Sequence, residues 1–337
     1  MGGWHDVSDD ELVTVVIPAL DEERFLGSCL DSVRRQDYRN LQIVVVDGGS
    51  TDGTLDVVRE HMTEDDRIEL LHSPRRNIPT QLNLAVAQAR GRWLVRVDAH
   101  SIVDPAYVRW SVERLAEGRW GGVGGRKDGV GHTSAGRAIA VAMASRFGVG
   151  NSTYHHGTAP QEVDHIPFGA YPVDVIRRLG GWDEQLSANE DYEFDYRVRK
   201  DGNVLLFDPA IVIKWHCRQS IRELFWQYHR YGRGKGDVAR LHPESMRLRH
   251  VVPPAFVAYV VVGGLVSWRR PTRLLALLAP YGIAVTAASV LASRDLESPA
   301  DRAHVPLAFA AMHVGWGLGF WSGVLRTADS RSRPASD

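Results

Sequence analysis

Cysteine is nearly absent: the 337 residues hold two, Cys29 and Cys217. Two cysteines cannot make a disulfide framework, so a reducing compartment fits. Cys29 falls on the apolar face of an expected helix and reads as a buried free thiol. Excess charge is absent too. The net charge of −1 excludes nucleic-acid binding through a basic surface. The Gly-x-Gly-x-x-Gly dinucleotide fingerprint is missing, and so is the Gly-x-x-x-x-Gly-Lys-Ser/Thr phosphate loop. Their absence removes the two commonest ways for an alternating α/β chain to hold a nucleotide. Residues 1–12 are polar and acidic, without the basic and apolar stretches of a secretory signal, so none is expected. No internal repeat occurs.

What is present is a set of apolar strands that each run into an acid. Residues 13–20 lead to Asp21-Glu22, residues 43–46 lead to Asp47, and residues 93–97 lead to Asp98. Between them lie helical stripes: Phe25, Leu26, Cys29, Leu30 and Val33, then a helix opening at Thr51-Asp52, then one over residues 79–90 ended by Gly91. Residues 67–72 add a strand. Alternation with short connections predicts an α/β fold, a mostly parallel sheet with helices on both faces. The carboxyl ends of such strands form the ligand crevice. Three carboxylates there suit a base, a ribose and a divalent metal bridging to a diphosphate, which is the geometry of a nucleotide-sugar site.

Further along, Gly121–Arg126 suggests a strand and a tight turn, and residues 148–161 read as a long loop. Helices are expected near residues 174–179, over 190–200 and over 222–240, with strands at 204–208 and 211–215. After about residue 250 the composition shifts to three apolar blocks, at 251–268, 273–292 and 305–325, each near the roughly 20 residues that span a bilayer. A buried helical subdomain is the alternative, weakened by the lack of a polar face. The expected division is a polar tail (1–11), a catalytic domain (12–240), a membrane-associated region of two or three apolar helices (241–326) and a disordered tail (327–337).

Single features admit bland readings. Acids at helix starts are ordinary dipole partners, and Gly48-Gly49-Ser50 is a tight turn that also lets backbone approach a ligand. Asp98 and His100, at i and i+2, face the same way on an extended segment and could share Mn²⁺ or Mg²⁺. His216 alone is a surface residue, but beside a metal it becomes a third ligand. Glu190-Asp191 opens a helix and offers a general base. Arg230 and Arg233 could meet a phosphate or lie on membrane headgroups.

Together these runs resemble the family-2 glycosyltransferases, over residues 12–235 in order. Val15–Glu23 resembles the opening strand and base-binding loop, and Val45–Thr54 resembles the most characteristic motif, whose first Asp contacts uracil. Asp98-Ala99-His100 stands in place of Asp-x-Asp, with His100 for the second acid. Asn189–Glu193 matches the acceptor-side acidic motif, and Gln227-x-x-Arg230-Tyr231 is similar to Gln-x-x-Arg-Trp. Arg96–His100, Val123–Arg126, Pro167–Tyr171 and Arg230–Lys235 are most similar to the membrane-associated exopolysaccharide enzymes of the succinoglycan type. The resemblance implies the GT-A nucleotide-diphospho-sugar transferase fold and an inverting transfer with Asp191 as base. It implies a donor site of Pro18, Leu20, Asp21, Glu22, Asp47, Gly49, Asp52, Arg75 and Asp98, and a metal held by Asp98, His100 and His216. Glu190, Gln227, Arg230 and Tyr231 fall on the acceptor and diphosphate side.

The expected partners are a nucleotide-sugar donor with UDP as carrier, a lipid-linked or saccharide acceptor, and membrane lipids. The expected location is the cell membrane, with residues 1–250 cytoplasmic. If all three apolar blocks span, Arg269, Arg270 and Arg273 fall outside, against the positive-inside tendency. An interfacial or re-entrant first block keeps them inside. A polyprenyl-phosphate sugar synthase and a non-catalytic nucleotide-sugar-binding scaffold are the alternatives.

Overall fold

The computed structural model describes residues 11–326. The tail expected over 1–11, save its last residue, and the disordered tail expected over 327–337 lie outside that range. The chain divides into two compact units. The first holds residues 11–128 and 156–216, and the second holds 129–155 and 217–326. This division differs from the expected boundary at residue 240. The segment before it, rich in Arg and polar residues, reads as part of the catalytic domain by composition, yet it packs with the apolar helices.

The first unit is built on one nine-stranded sheet. Strands β1 (Val13–Ala19), β2 (Leu41–Asp47), β3 (Ile68–His72) and β4 (Trp93–Arg96) run parallel in the order β3-β2-β1-β4. Every residue of β1 and β2 is buried, as expected of strands covered on both faces. The order then continues β8 (Ala170–Pro172), β6 (Trp120–Val130), β9 (Val204–His216) and β5 (Ser101–Val103), with β7 (Gln161–Val163) beside β9. Here β8 runs antiparallel to β4 and β6, and β5 and β7 run antiparallel to β9. The sheet is therefore mixed. The βα alternation that predicts parallel pairing stops near residue 100, and antiparallel neighbours need no crossover helix.

Helices α1 (Glu23–Arg34), α2 (Thr54–Glu64) and α3 (Ile78–Gln88) fall where the apolar stripes put them. The Asn77 side chain caps α3 by accepting from the Thr80 N–H at 3.1 Å, with Pro79 in its first turn. Helix α7 (Val173–Arg178) and helix α8 (Glu190–Lys200) follow. Leu82, Val86, Ile176, Trp182, Phe194 and Val198 pack with Val16, Val44 and Val46 into one core. Helix α4 (Tyr107–Ala116) was not expected.

Two strand expectations change. Residues 204–216 form one continuous strand instead of two. Residues 121–126 hold no turn but lie inside β6. Their glycines answer to crowding: a Cβ at Gly125 would collide with the Ile211 carbonyl, and one at Gly122 would come within 2.6 Å of the Tyr171 ring.

The second unit is helical. It contains α5 (Ser134–Ala144), the four-residue α6 (Arg146–Val149), α9 (Ile221–Leu241), α10 (Leu248–Ser267), α11 (Pro271–Ala292) and α12 (Pro299–Val324). The expected long loop at 148–161 is thus broken by the end of α6 and a 3-10 turn at Thr153–His155. Helix α12 buries one face against its neighbours. Val305, Ala308, Phe309 and Met312 are fully buried, and α12 packs on α9, α5 and α10. Gly232 and Gly236 of α9 face Gly315, Gly319 and Gly323 of α12, and a Cβ at any of the five would strike backbone of the other helix. This is the small-residue spacing that lets helix backbones touch. Helices α10 and α11 differ: Val261, Val262, Leu265, Val266, Leu275 and Ile283 are exposed. Both are long and apolar enough to cross a membrane. The third apolar block is thus the most buried of the three, and the first two are candidate spans.

Candidate functional site

The parallel register aligns three strand ends. Ala19 lies opposite Asp47, Asp47 opposite His72, and Val16 opposite Arg96. Asp21, Asp47 and Asp98 thus leave the sheet at one edge, as the strand pattern requires. The buried Asp47 carboxylate accepts from the N–H groups of Gly49 (2.9 Å) and Ser50 (3.0 Å). Burial pushes this carboxyl up, but the Ser50 and Gly49 donors and His72 outweigh it, and it sits below the usual range. Gly49 carries φ +89°, which favours glycine.

Asp21 and Asp52 knit the loops after β1 and β2. Asp21, itself at φ +55°, donates its N–H to Ser50 Oγ (2.9 Å) and accepts from the Thr51 N–H (2.7 Å). Its other oxygen pairs with Arg76 at 3.1 Å. Asp52 accepts from the N–H groups of Glu23 (3.1 Å) and Thr54 (3.0 Å), tying together the starts of α1 and α2. Pro18 is buried and Leu20 half-buried at the same edge. Arg75 is exposed and pairs with Glu184 at 3.4 Å.

Asp98 and Glu190 are joined by Arg96, which opens the run Arg96–His100 but has no role assigned from sequence. Arg96 is buried, donating from Nε to Asp98 (3.0 Å) and from Nη1 to Glu190 (3.1 Å). Burial alone would lower this guanidinium, but the charges of Asp98, Glu190 and Asp191 raise it, so it stays protonated. The available signal was its place two residues before Asp98 on the same strand face.

His100 donates from Nδ1 to Glu22 at 2.9 Å, since an ionised carboxylate only accepts. Glu22 is therefore engaged with the histidine. A carboxylate on one ring nitrogen is the arrangement that orients a metal-binding imidazole through the other. His216 donates its N–H to the His100 carbonyl (3.2 Å), while its ring stacks on Phe25 at 4.8 Å. Among the described residues no three His, Cys, Asp or Glu side chains converge to hold a cation. Among the described residues the expected trio of Asp98, His100 and His216 is thus not gathered into one group. A carboxylate and an imidazole, as on Asp98 and His100, are a donor set chemically suited to a divalent cation.

On the opposite bank, Asn189 adopts φ +61° and opens α8. The two acids that follow differ sharply. The Glu190 side chain is 7% exposed and held by Arg96, whereas the Asp191 side chain is 27% exposed. Burial, then the Asp191 charge, push the Glu190 carboxyl up against the pull of Arg96. Behind Asp191 lies His165, with Nε2 3.8 Å from the Asp191 carboxylate and Nδ1 2.8 Å from Asp195. Asp195, fully buried, also accepts from the Ile166 N–H (2.8 Å) and the Tyr171 hydroxyl (2.7 Å). Burial raises its carboxyl, and these donors offset part of that rise. Asp195 was readable as one helical turn beyond Asp191. His165 lies in a connection with no periodic signal.

Gln227, Arg230 and Tyr231 lie on α9, in the second unit. Gln227 is buried and donates to the Tyr231 hydroxyl at 3.2 Å, while its carbonyl oxygen has no hydrogen-bond partner. Arg230 is exposed. Cys29 and Cys217 are free and buried, as expected for Cys29.

The family pattern described as Glycosyl transferase family 2 matches residues 14–170. The chain is 32% identical to the succinoglycan biosynthesis protein ExoA of Rhizobium meliloti (strain 1021), over 98% of this chain and 100% of that one. It is 24% identical to dolichyl N-acetyl-α-D-glucosaminyl phosphate 3-β-D-2,3-diacetamido-2,3-dideoxy-β-D-glucuronosyltransferase of Methanococcus voltae, over 68% of this chain and 74% of that one. Among solved structures, the mannosyltransferase PcManGT of Pyrobaculum calidifontis, in complex with GDP-Man and Mn²⁺, superposes with a TM-score of 0.58. Identity there is 20%, covering 89% of this chain and 86% of that one, so the likeness shows the fold, GT-A.

Proposed function

We propose a reaction from one premise: this chain belongs to glycosyl transferase family 2, and it is a glycosyltransferase. The reaction is transfer of a sugar from a nucleotide diphosphate, with UDP as the expected carrier, to a hydroxyl of a lipid-linked saccharide. Asp191 takes the acceptor proton. The observation that carries this reading is the contrast at the start of α8, where Glu190 is buried under Arg96 and Asp191 is the more exposed of the two. A carboxylate buried under a guanidinium is out of reach of an incoming hydroxyl, and the more exposed one can meet it.

The acceptor oxygen then attacks the anomeric carbon from the face opposite the leaving nucleotide, and one displacement inverts that centre. Asp47 and the loop after β2 meet the base, and Asp21 and Asp52 hold that loop in shape. Asp98 and His100 would hold a Mn²⁺ or Mg²⁺ ion, which supplies charge neutralisation to the departing diphosphate. The full-length relative named for succinoglycan biosynthesis and the Methanococcus relative named for a dolichyl-linked phosphate support a lipid-linked saccharide acceptor. The exposed apolar faces of α10 and α11 support a membrane location, and a cytosolic donor puts the sheet on the cytoplasmic side.

Asp191→Asn tests the assignment. Transfer is expected to fall by about 100-fold or more, the scale of general-base catalysis, with donor affinity retained in a nucleotide-sugar binding assay. Near-normal transfer by this variant would move the reaction to a phosphate acceptor, which needs no base.

A further inference from the structure

Asp191 faces an imidazole that the reaction above does not use. The His165 side chain is 10% exposed and is held by the buried Asp195 at 2.8 Å. Its Nε2 stands 3.8 Å from the Asp191 carboxylate. The Ile166 N–H and the Tyr171 hydroxyl converge on the same Asp195. An acceptor of that many donors serves as a carboxylate, and a carboxylate at Nδ1 fixes the proton there. Nε2 is then the nitrogen turned toward Asp191. The His165 ring also meets Tyr192 edge-on, with centroids 5.5 Å apart, which fixes its plane.

We propose that His165, oriented by Asp195, is a positioning residue for Asp191: it holds the base in register and takes from it the proton won from the acceptor. The proposal rests on Asp191 being the base. The acceptor oxygen bonds to the anomeric carbon while the bond from that carbon to the leaving phosphate oxygen breaks, and its electron pair departs with the diphosphate. The acceptor proton passes to the Asp191 carboxylate and then to the lone pair of His165 Nε2. The proton on Nδ1 stays with Asp195, and the Nε2 proton is lost to solvent before the next turnover. The gap of 3.8 Å exceeds a hydrogen bond, and in the proposal a small rotation of the partly exposed Asp191 carboxylate closes it when an acceptor is bound.

His165→Asn separates this role from a structural one. The Asn amide sits where Nδ1 was and keeps the donation to Asp195, but nothing replaces Nε2. Expected is a fall in kcat of about tenfold or more, with KM for donor and acceptor and the thermal midpoint unchanged. Wild-type kcat, or a loss confined to KM or to stability, overturns the proposal. Should H165N not fold, His165→Gln, whose amide has no basic nitrogen, makes the same comparison, and the same split between kcat and KM is expected. Asp191→Asn run alongside keeps the two claims apart. An inactive D191N beside a wild-type-like H165N removes only His165, whereas an active D191N removes the base and His165 with it.

Discussion

At the scale of single residues, the site depends on a buried cation. Arg96 bridges Asp98 and Glu190. Removing one member of a buried charge set leaves the others uncompensated, at a cost of about 3 kcal/mol or more. Arg96→Ala is therefore expected to lower unfolding stability by about 3 kcal/mol in urea titration, and a change under about 0.5 kcal/mol, the scale of an ordinary surface substitution, would contradict this role. The acids were legible because strand ends and helix starts are marked by local pattern: Asp21, Asp47, Asp98 and Asp191 were all found that way. Their partners were not. That Glu22 binds His100, or that Glu190 lies under Arg96 while Asp191 stays open, follows from contacts between residues 78 and 94 positions apart, which no window of sequence contains.

At the scale of elements, local periodicity succeeded where a helix had one apolar face or a strand had two. Helix α8 spans the residues expected of it, and the βα units up to β4 fall into place. It failed where glycine has two meanings. In β6 glycines are there because Ile211 and Tyr171 leave no room, and sequence alone reads them as a turn. In α12 they let α9 approach backbone to backbone, and composition alone reads the segment as lipid-facing. The two environments predict opposite outcomes for one substitution. Gly319→Leu drives a side chain into the His229 carbonyl of α9 and is expected to cost about 3 kcal/mol or to abolish folding. Gly282→Leu on α11, where nothing lies within 4 Å, is expected to be neutral. Thermal unfolding in detergent compares the two, and equal effects would contradict the packing of α12 on α9.

At the scale of the whole molecule, the two units carry different halves of the account. The first holds the strand-end acids, Arg96 and the carboxylate pair of α8, to which the proposed reaction gives the donor and the base. The second holds the α9–α12 pair and the exposed apolar helices α10 and α11, which favour a membrane-bound acceptor. Composition located the change near residue 250, but contacts put the division at residue 217 and add residues 129–155 to the second unit, because α5 packs against α12. The anomeric configuration of the product tests most directly whether the proposed transfer is a single displacement assisted by Asp191. Nuclear magnetic resonance of the transferred sugar is predicted to show the configuration opposite to that in the nucleotide sugar. A product that keeps the donor's configuration would contradict a one-step transfer with Asp191 as base.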